Sequence, residues 1–415
     1  MNSEFNFENE NINENLENTP PDSFENVTTG QDVDIDLSEN SEEINFSQET
    51  IVDKQENFST PQNSPNNTEN GQNPPSFQTN YYGYQHSYQP FYQPQYQNPE
   101  ALKLFFEKKA VKKTAMHIGI GFIFFYAFQF AVSFILAFFM RNKNVSEFFN
   151  NSAVNLELNI ILSVLGMGLS GLFILKTEGA KASRLVSYGK PKSGSLISAV
   201  MVGVGFCYTA NIVVSMLQSR LQNILPFSQP EIELPNGALG FLISVLSVAV
   251  APALIEEFLF RSVIMGSLLK YGKSFAIFTS ALLFGLVHGN LVQIPFAFMV
   301  GLILGAMVVE TNSIWTGIII HFANNFISVC MDYLGRFLDE NILNVCYLFL
   351  LSSLILIGFF GFYILSVKNQ ELFSFKKTEH ISSSVKRFGW FFSSAPIIIY
   401  CVIVFLEILM VQALV

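Results

Sequence analysis

The sequence predicts an all-α polytopic membrane protein, with about nine transmembrane helices behind a disordered N-terminal tail. Three observations predict it. Half of the 415 residues are hydrophobic and only 13% are charged, with phenylalanine at 43 positions. Apolar windows of membrane-spanning length recur from residue 115 to the end. The charge, finally, is unevenly placed. Residues 1–100 hold 18 acids against one base, Lys54, giving −17, whereas residues 101–415 hold 15 acids against 22 bases, giving +7. A basic membrane domain thus carries an acidic tail, and no nucleic-acid partner is indicated.

Residues 1–100 run from Asn/Glu-rich through Asn/Pro/Gln/Ser-rich to Tyr/Gln/Pro-rich. Such a stretch buries too little apolar surface to offset its ordering entropy and is expected to be a disordered cytoplasmic tail. No cleavable signal peptide is expected, because the N-terminus opens on an acidic run. Lys103, Lys108, Lys109, Lys112 and Lys113 precede the first window. The windows then lie at about 115–140, 154–175, 195–217, 239–270, 274–292, 293–309, 313–331, 342–366 and 390–415. Bases crowd the leader and three loops, marked by Lys181 and Arg184, by Lys270 and Lys273, and by Lys376 and Arg387. With nine spans all of these fall on one side, so the N-terminus is expected in the cytoplasm of a multi-pass cell-membrane protein of bacterial style. The four cysteines, Cys207, Cys330, Cys346 and Cys401, lie in apolar windows without CxxC spacing, which argues against a disulfide framework or a thiolate metal site.

One stretch stands out from this background: Ala253-Leu-Ile-Glu256-Glu257-Phe-Leu-Phe-Arg261. Ionisable side chains cost several kcal/mol near a bilayer centre, so three within six residues call for a functional explanation. On a helix, Glu257 and Arg261 share a face in the favourable acid-before-base order and read as a holding pair. Glu256 is rotated away by about 100° and has no local cation, so it reads as the free carboxylate. Pro252 is expected to kink this long window. The helix then continues to the Tyr271-Gly272 turn, and the next span returns from Ser274. Glu256 lies about 15 residues before that turn and His288 about 16 after it, which places both roughly 24 Å from the turn.

Two further polar clusters lie in apolar windows, Phe284-Gly-Leu-Val-His288 and His321-Phe-Ala-Asn-Asn325. His321 and Asn325 are four apart and share a helix face. Taken singly, each feature has a plain structural reading: paired charges tolerated in a membrane helix, interhelical hydrogen bonds, packing by Phe284. Glu157 and Glu407 also lie in apolar windows and have no assignment. The joint placement of a carboxylate, two histidines and an amide at one depth is what points to chemistry.

As EExxxR, FxxxH and HxxxN motifs in order, these residues resemble the CPBP family of intramembrane proteases (the CAAX protease and bacteriocin-processing, or Abi, family). The resemblance covers about residues 195–335 as a protease core within a transmembrane domain 101–415. It implies an endopeptidase acting on a peptide or membrane-associated protein. Glu256 with His288 would activate water, and His321 and Asn325 would stabilise the oxyanion. Glu257, Arg261 and Phe284 would support them. The residue types suit these tasks: a partly desolvated carboxylate is an effective base, and an oxyanion donor is worth about 2.7–4 kcal/mol.

Two other classes compete. A non-catalytic receptor or bacteriocin-immunity protein of the same fold would bind a peptide without cleaving it. A proton-coupled transporter would show paired broken helices in related halves, which are not evident. No cofactor is certain. A zinc site built from Glu256, His288 and His321 would have the ligand types of a catalytic centre. Against it, the three come from separate helices, and no acid lies within a turn of either histidine to orient it. Direct activation of water without a tightly held metal is therefore expected.

Overall fold

The computed structural model describes residues 99–143, 151–179, 195–222, 234–368 and 381–413, together with Gly189 and Pro191. Residues 1–98 of the expected disordered tail 1–100 lie outside the described residues, as do Lys181, Arg184 and Lys376, while Pro99 and Glu100 are helical. Everything regular among the described residues is helical, as the apolar windows require of a chain whose backbone must satisfy itself within lipid. In chain order the helices are α1 (Pro99–Phe139), α2 (Ser152–Glu178), α3 (Leu196–Leu221) and α4 (Gly237–Leu269). They continue with α5 (Lys273–Leu286), α6 (Gln293–Thr311), α7 (Ile314–Gly335), α8 (Glu340–Lys368), α9 (Ser384–Phe392) and α10 (Ala395–Ala413). Eight of them are long and apolar enough to cross a membrane, all but α5 and α9. The protein is a multi-pass helical membrane protein.

The fifth window departs from expectation. It was to run to residue 292, but its helix stops at Leu286 after 14 residues, about 21 Å. Gly289, at φ 64°, turns the chain into the left-handed region, and the polar turn 287–292 links α5 to α6. The turn is held from within and from a neighbour. Asn290 Oδ1 accepts from Gln293 N at 2.8 Å, Asn290 Nδ2 donates to His288 O at 3.1 Å, and Gln218 Nε2 of α3 donates to Val292 O. Irregular backbone is tolerated at membrane depth when protein supplies its partners in this way.

α4 is also not the simple kinked α-helix its sequence suggests. It is π-helical at Val245–Val250 and again at Glu257–Met265, with an α-helical turn, Ala251–Glu256, between them. Wider π turns inside α-helices are frequent at functional sites. Here they flank Pro252, whose missing N–H breaks the regular ladder. Around α4 the core is made of α5, α6 and α7, with Phe260, Phe284, Leu304, Val308 and Ile320 buried together. α3 and α8 pack so closely that a Cβ on Gly205 would lie 2.5 Å from Gly358 Cα.

The basic leader is continuous with the first span in α1. Its contacts gather several chain segments at one end of the bundle. Glu178, closing α2, meets His117 Nδ1 at 2.7 Å, Thr114 Oγ1 at 3.1 Å and Lys270 Nζ at 3.2 Å. Tyr271 joins through Thr114 at 3.1 Å, and burial raises its phenol above the ordinary range, so it stays protonated. Glu107 faces Arg387 of α9 at 3.5 Å.

Candidate active site

Three helices and one turn build the site. α4 supplies Glu256, Glu257 and Arg261, and α5 supplies Phe284. The turn after α5 supplies His288, and α7 supplies His321 and Asn325. The acids and Arg261 come first because they fix the rest. Glu257 and Arg261 are buried at 0% and 1% exposure, with Arg261 Nη1 3.2 Å from Glu257 Oε1. The guanidinium also lies over the Phe284 ring, Cζ 4.3 Å from its centroid, and Nη2 points to Gly301 O at 3.5 Å. A planar cation stacked on an aromatic face keeps much of its interaction energy when desolvated.

The same Glu257 Oε1 takes a second partner from across the bundle, His321 Nδ1 at 3.0 Å. A carboxylate only accepts, so Nδ1 carries the proton in this contact and the other ring nitrogen, Nε2, is left for the site. Nε2 faces Glu256 Oε2 at 3.7 Å. That is too long for a direct hydrogen bond, and it leaves Glu256 the accessible carboxylate of the pair. No acid lies within a turn of either histidine in sequence, but an orienting acid reaches His321 from another helix. Glu257 is 64 residues away in sequence and orients His321 through space. The other oxygen, Glu257 Oε2, is buried without a hydrogen bond and lies against α7, 2.5 Å from where a Cβ on Gly317 would sit.

His288 is fixed differently. The sequence places it in a span, whereas it stands in the turn just past α5. Helix C-termini leave carbonyls unpartnered, and His288 Nδ1 bonds the carbonyl of Phe284, four residues back, at 2.8 Å. A carbonyl accepts only, so Nδ1 is again the protonated nitrogen and Nε2 is the free lone pair of the neutral ring. Both imidazoles stand edge-on to Phe284, with centroids at 5.2 Å for His288 and 5.9 Å for His321. Phe284, which reads from sequence as simple packing, is the hub that touches Arg261, His288 and His321 together.

Asn325 donates through Nδ2 to Val248 O at 3.0 Å and accepts through Oδ1 from Asn324 Nδ2 at 3.1 Å. One amide N–H is thereby committed to α4, and one remains.

The two unassigned acids also find partners. Glu157 Oε1 accepts from Ser247 Oγ at 2.6 Å, on the π-helical stretch before Glu256. Glu407 Oε2 accepts from Tyr126 at 2.8 Å, and its carboxyl fills the notch at Gly289, where a Cβ would lie 2.5 Å from Glu407 Cδ. A lone acid in an otherwise apolar window is the only sequence signal for either.

The donor set bears on metal binding. Glu256 meets His321, while His288 turns its Nδ1 to a backbone carbonyl beside Phe284. Among the described residues no three His, Cys, Asp or Glu side chains are grouped to hold a metal ion. The residues as placed do not form a zinc site.

Residues 238–327 match the family model described as type II CAAX prenyl endopeptidase Rce1-like. No curated protein and no solved structure matches the chain. The matched segment contains every residue of the site, from Val248 to Asn325, and the family supports a CAAX-type intramembrane protease. Residues 238–327 of this multi-pass helical membrane protein are thus similar to the Rce1-like type II CAAX prenyl endopeptidases, in line with the CPBP/CAAX protease resemblance of its motifs.

Proposed function

We propose that the chain is an intramembrane endopeptidase that cleaves a peptide or membrane-associated protein with water activated by Glu256 and His288. One observation carries this reading. Within the family-matched segment, Glu257 takes up both Arg261 and His321 Nδ1, which leaves Glu256 as the carboxylate free to take a water, 3.7 Å from His321 Nε2. Water seated at Glu256 and His288 Nε2 gives a proton to Glu256 as its oxygen bonds the carbonyl carbon. The C–N bond then breaks as that proton passes to the departing amine nitrogen, so one water is consumed per bond cut. The remaining N–H of Asn325 faces the developing oxyanion. His321 adds a donor through Nε2 only as the imidazolium, because its Nδ1 proton is committed to Glu257. No step passes through a metal.

The family's description makes a prenylated CAAX-type peptide the first substrate class to offer, with unmodified membrane peptides as the second. The test compares membrane peptidomes of cells carrying wild-type protein and Glu256→Gln. Fragments that vanish with the substitution are the expected result. Identical peptidomes at equal protein levels would favour a peptide-binding, non-catalytic member of the fold.

A further inference from the structure

Pro252 sits one turn before Glu256 and leaves the backbone of α4 incomplete. In the π-helical stretch before it, the N–H of Ala251 bonds Leu246 O, five residues back. The next residue is Pro252, which has no N–H. Its α-helical acceptor would be the carbonyl four back, that of Val248. A partly buried carbonyl at membrane depth left without a donor is costly. Asn325 Nδ2, reaching from α7, bonds that carbonyl at 3.0 Å.

We propose that Asn325 is a positioning residue that closes the break opened by Pro252, donating to Val248 O in place of the absent backbone N–H and so fixing where Glu256 stands. The geometry supports a clamp across the break. α7 runs antiparallel to α4 and grips it at three levels: His321 on Glu257 beyond Pro252, Asn325 on Val248 before it, and Tyr333 on Ser244 at 3.1 Å further back. His321 and Asn325 are one helical turn apart on the same face of α7. Each holds one side of the interruption, so the turn Ala251–Glu256 is suspended between two fixed points. The Asn324 contact to Asn325 Oδ1 orients the amide, so that Nδ2 faces Val248. With one N–H committed, the second is held in a set direction. The inference rests on the proposed protease reading only for the role of Glu256; the latch itself is a statement about the backbone.

A double-mutant cycle on the purified full-length protein in detergent tests it. Asn325→Leu keeps the branched shape and removes the donor. Pro252→Ala restores an N–H in reach of Val248 O. In the wild-type background Asn325→Leu should lower the thermal midpoint by about 2–4 °C, the size expected for one lost hydrogen bond. In the Pro252→Ala background the same substitution should cost less than half as much, because the carbonyl then has a backbone donor. A loss of simple packing would not show this suppression. Equal cost in both backgrounds would overturn the proposal. Hydrogen exchange gives a second reading should Pro252→Ala fold poorly. Amides 253–257 should exchange at least threefold faster in Asn325→Leu than in wild type, and unchanged exchange would overturn the latch. Neither reading needs a substrate, so the latch can fail while the protease reading stands, and the reverse.

Discussion

At the scale of single residues, two adjacent carboxylates have unlike surroundings, and this division can be tested. Glu257 is fully buried between Arg261 and His321, whereas Glu256 keeps an accessible carboxylate 3.7 Å from His321 Nε2. Glu256→Gln preserves the shape and should abolish cleavage, a loss of at least about 10²–10⁴-fold for a removed general base, with unchanged insertion and thermal midpoint. Wild-type rates in this variant on any identified substrate would end the assignment. The metal question belongs at the same scale. With no three ligand side chains grouped among the described residues, dialysis against a chelator should leave activity intact. Stoichiometric zinc, whose removal stops cleavage and whose return restores it, would reverse that expectation. Much of this site was legible in the sequence, because helical spacing pairs Glu257 with Arg261 and His321 with Asn325. The bond from His321 to Glu257 was not, since it joins helices through space and no spacing rule reaches across 64 residues.

At the scale of elements, α4 and the α5–α6 turn depart furthest from their sequence pattern, and both departures place a catalytic candidate. Apolar windows report burial but not register, so neither the π turns around Pro252 nor the early end of α5 could be read from hydrophobicity. Gly289 and the polar His288 and Asn290 were the available signal for that early end, in a window otherwise long enough to span. The consequence for the pair inside α4 is specific. Glu257→Ala strands the Arg261 charge and Arg261→Ala strands that of Glu257, each at roughly 3–5 kcal/mol. The double variant strands neither, so it should recover part of the folded yield, short of full recovery because His321 still loses its Nδ1 partner. Folded yield by size-exclusion chromatography checks this, and damage equal to the sum of the singles would count against the pair. The turn offers a second case. Gly289 combines a φ of 64° with a carboxyl of Glu407 in the place of a Cβ. Gly289→Ala should therefore cost more than the usual 1 kcal/mol of a point substitution and should displace α10. A disulfide-trapping or exchange measurement between α10 and the turn would show it, and a neutral effect would argue against the notch.

At the scale of the whole molecule, the family-matched segment is a minority of the chain, and helices outside it complete the polar groups within it. Gln218 of α3 caps Val292 O, Glu157 of α2 accepts from Ser247, and Tyr126 of α1 holds Glu407 of α10 against Gly289. Packing does the same: Phe122 of α1 meets Phe260 at 6.0 Å, and Phe258 lies where a side chain on Gly171 of α2 would go. The order of these helices was legible from hydropathy and the clustering of bases. Their choice of neighbours was not, because within lipid any apolar face suits any other and the deciding contacts are close small-residue seams and single polar bonds. Two truncations separate the roles. A chain beginning at Pro99 keeps every contact named above and should insert, fold and retain activity. A chain limited to residues 234–335 keeps every candidate site residue but loses Gln218, Glu157, Tyr126 and Glu407, leaving the polar turn 287–292 and Ser247 facing lipid. Each unsatisfied group there costs several kcal/mol, so this fragment should insert and yet fail to fold, exchanging freely around His288. A protease-resistant, active 234–335 fragment would show that the surrounding helices are dispensable to the site. Loss of the folded bundle on removing residues 1–98 would show instead that the acidic segment is part of it.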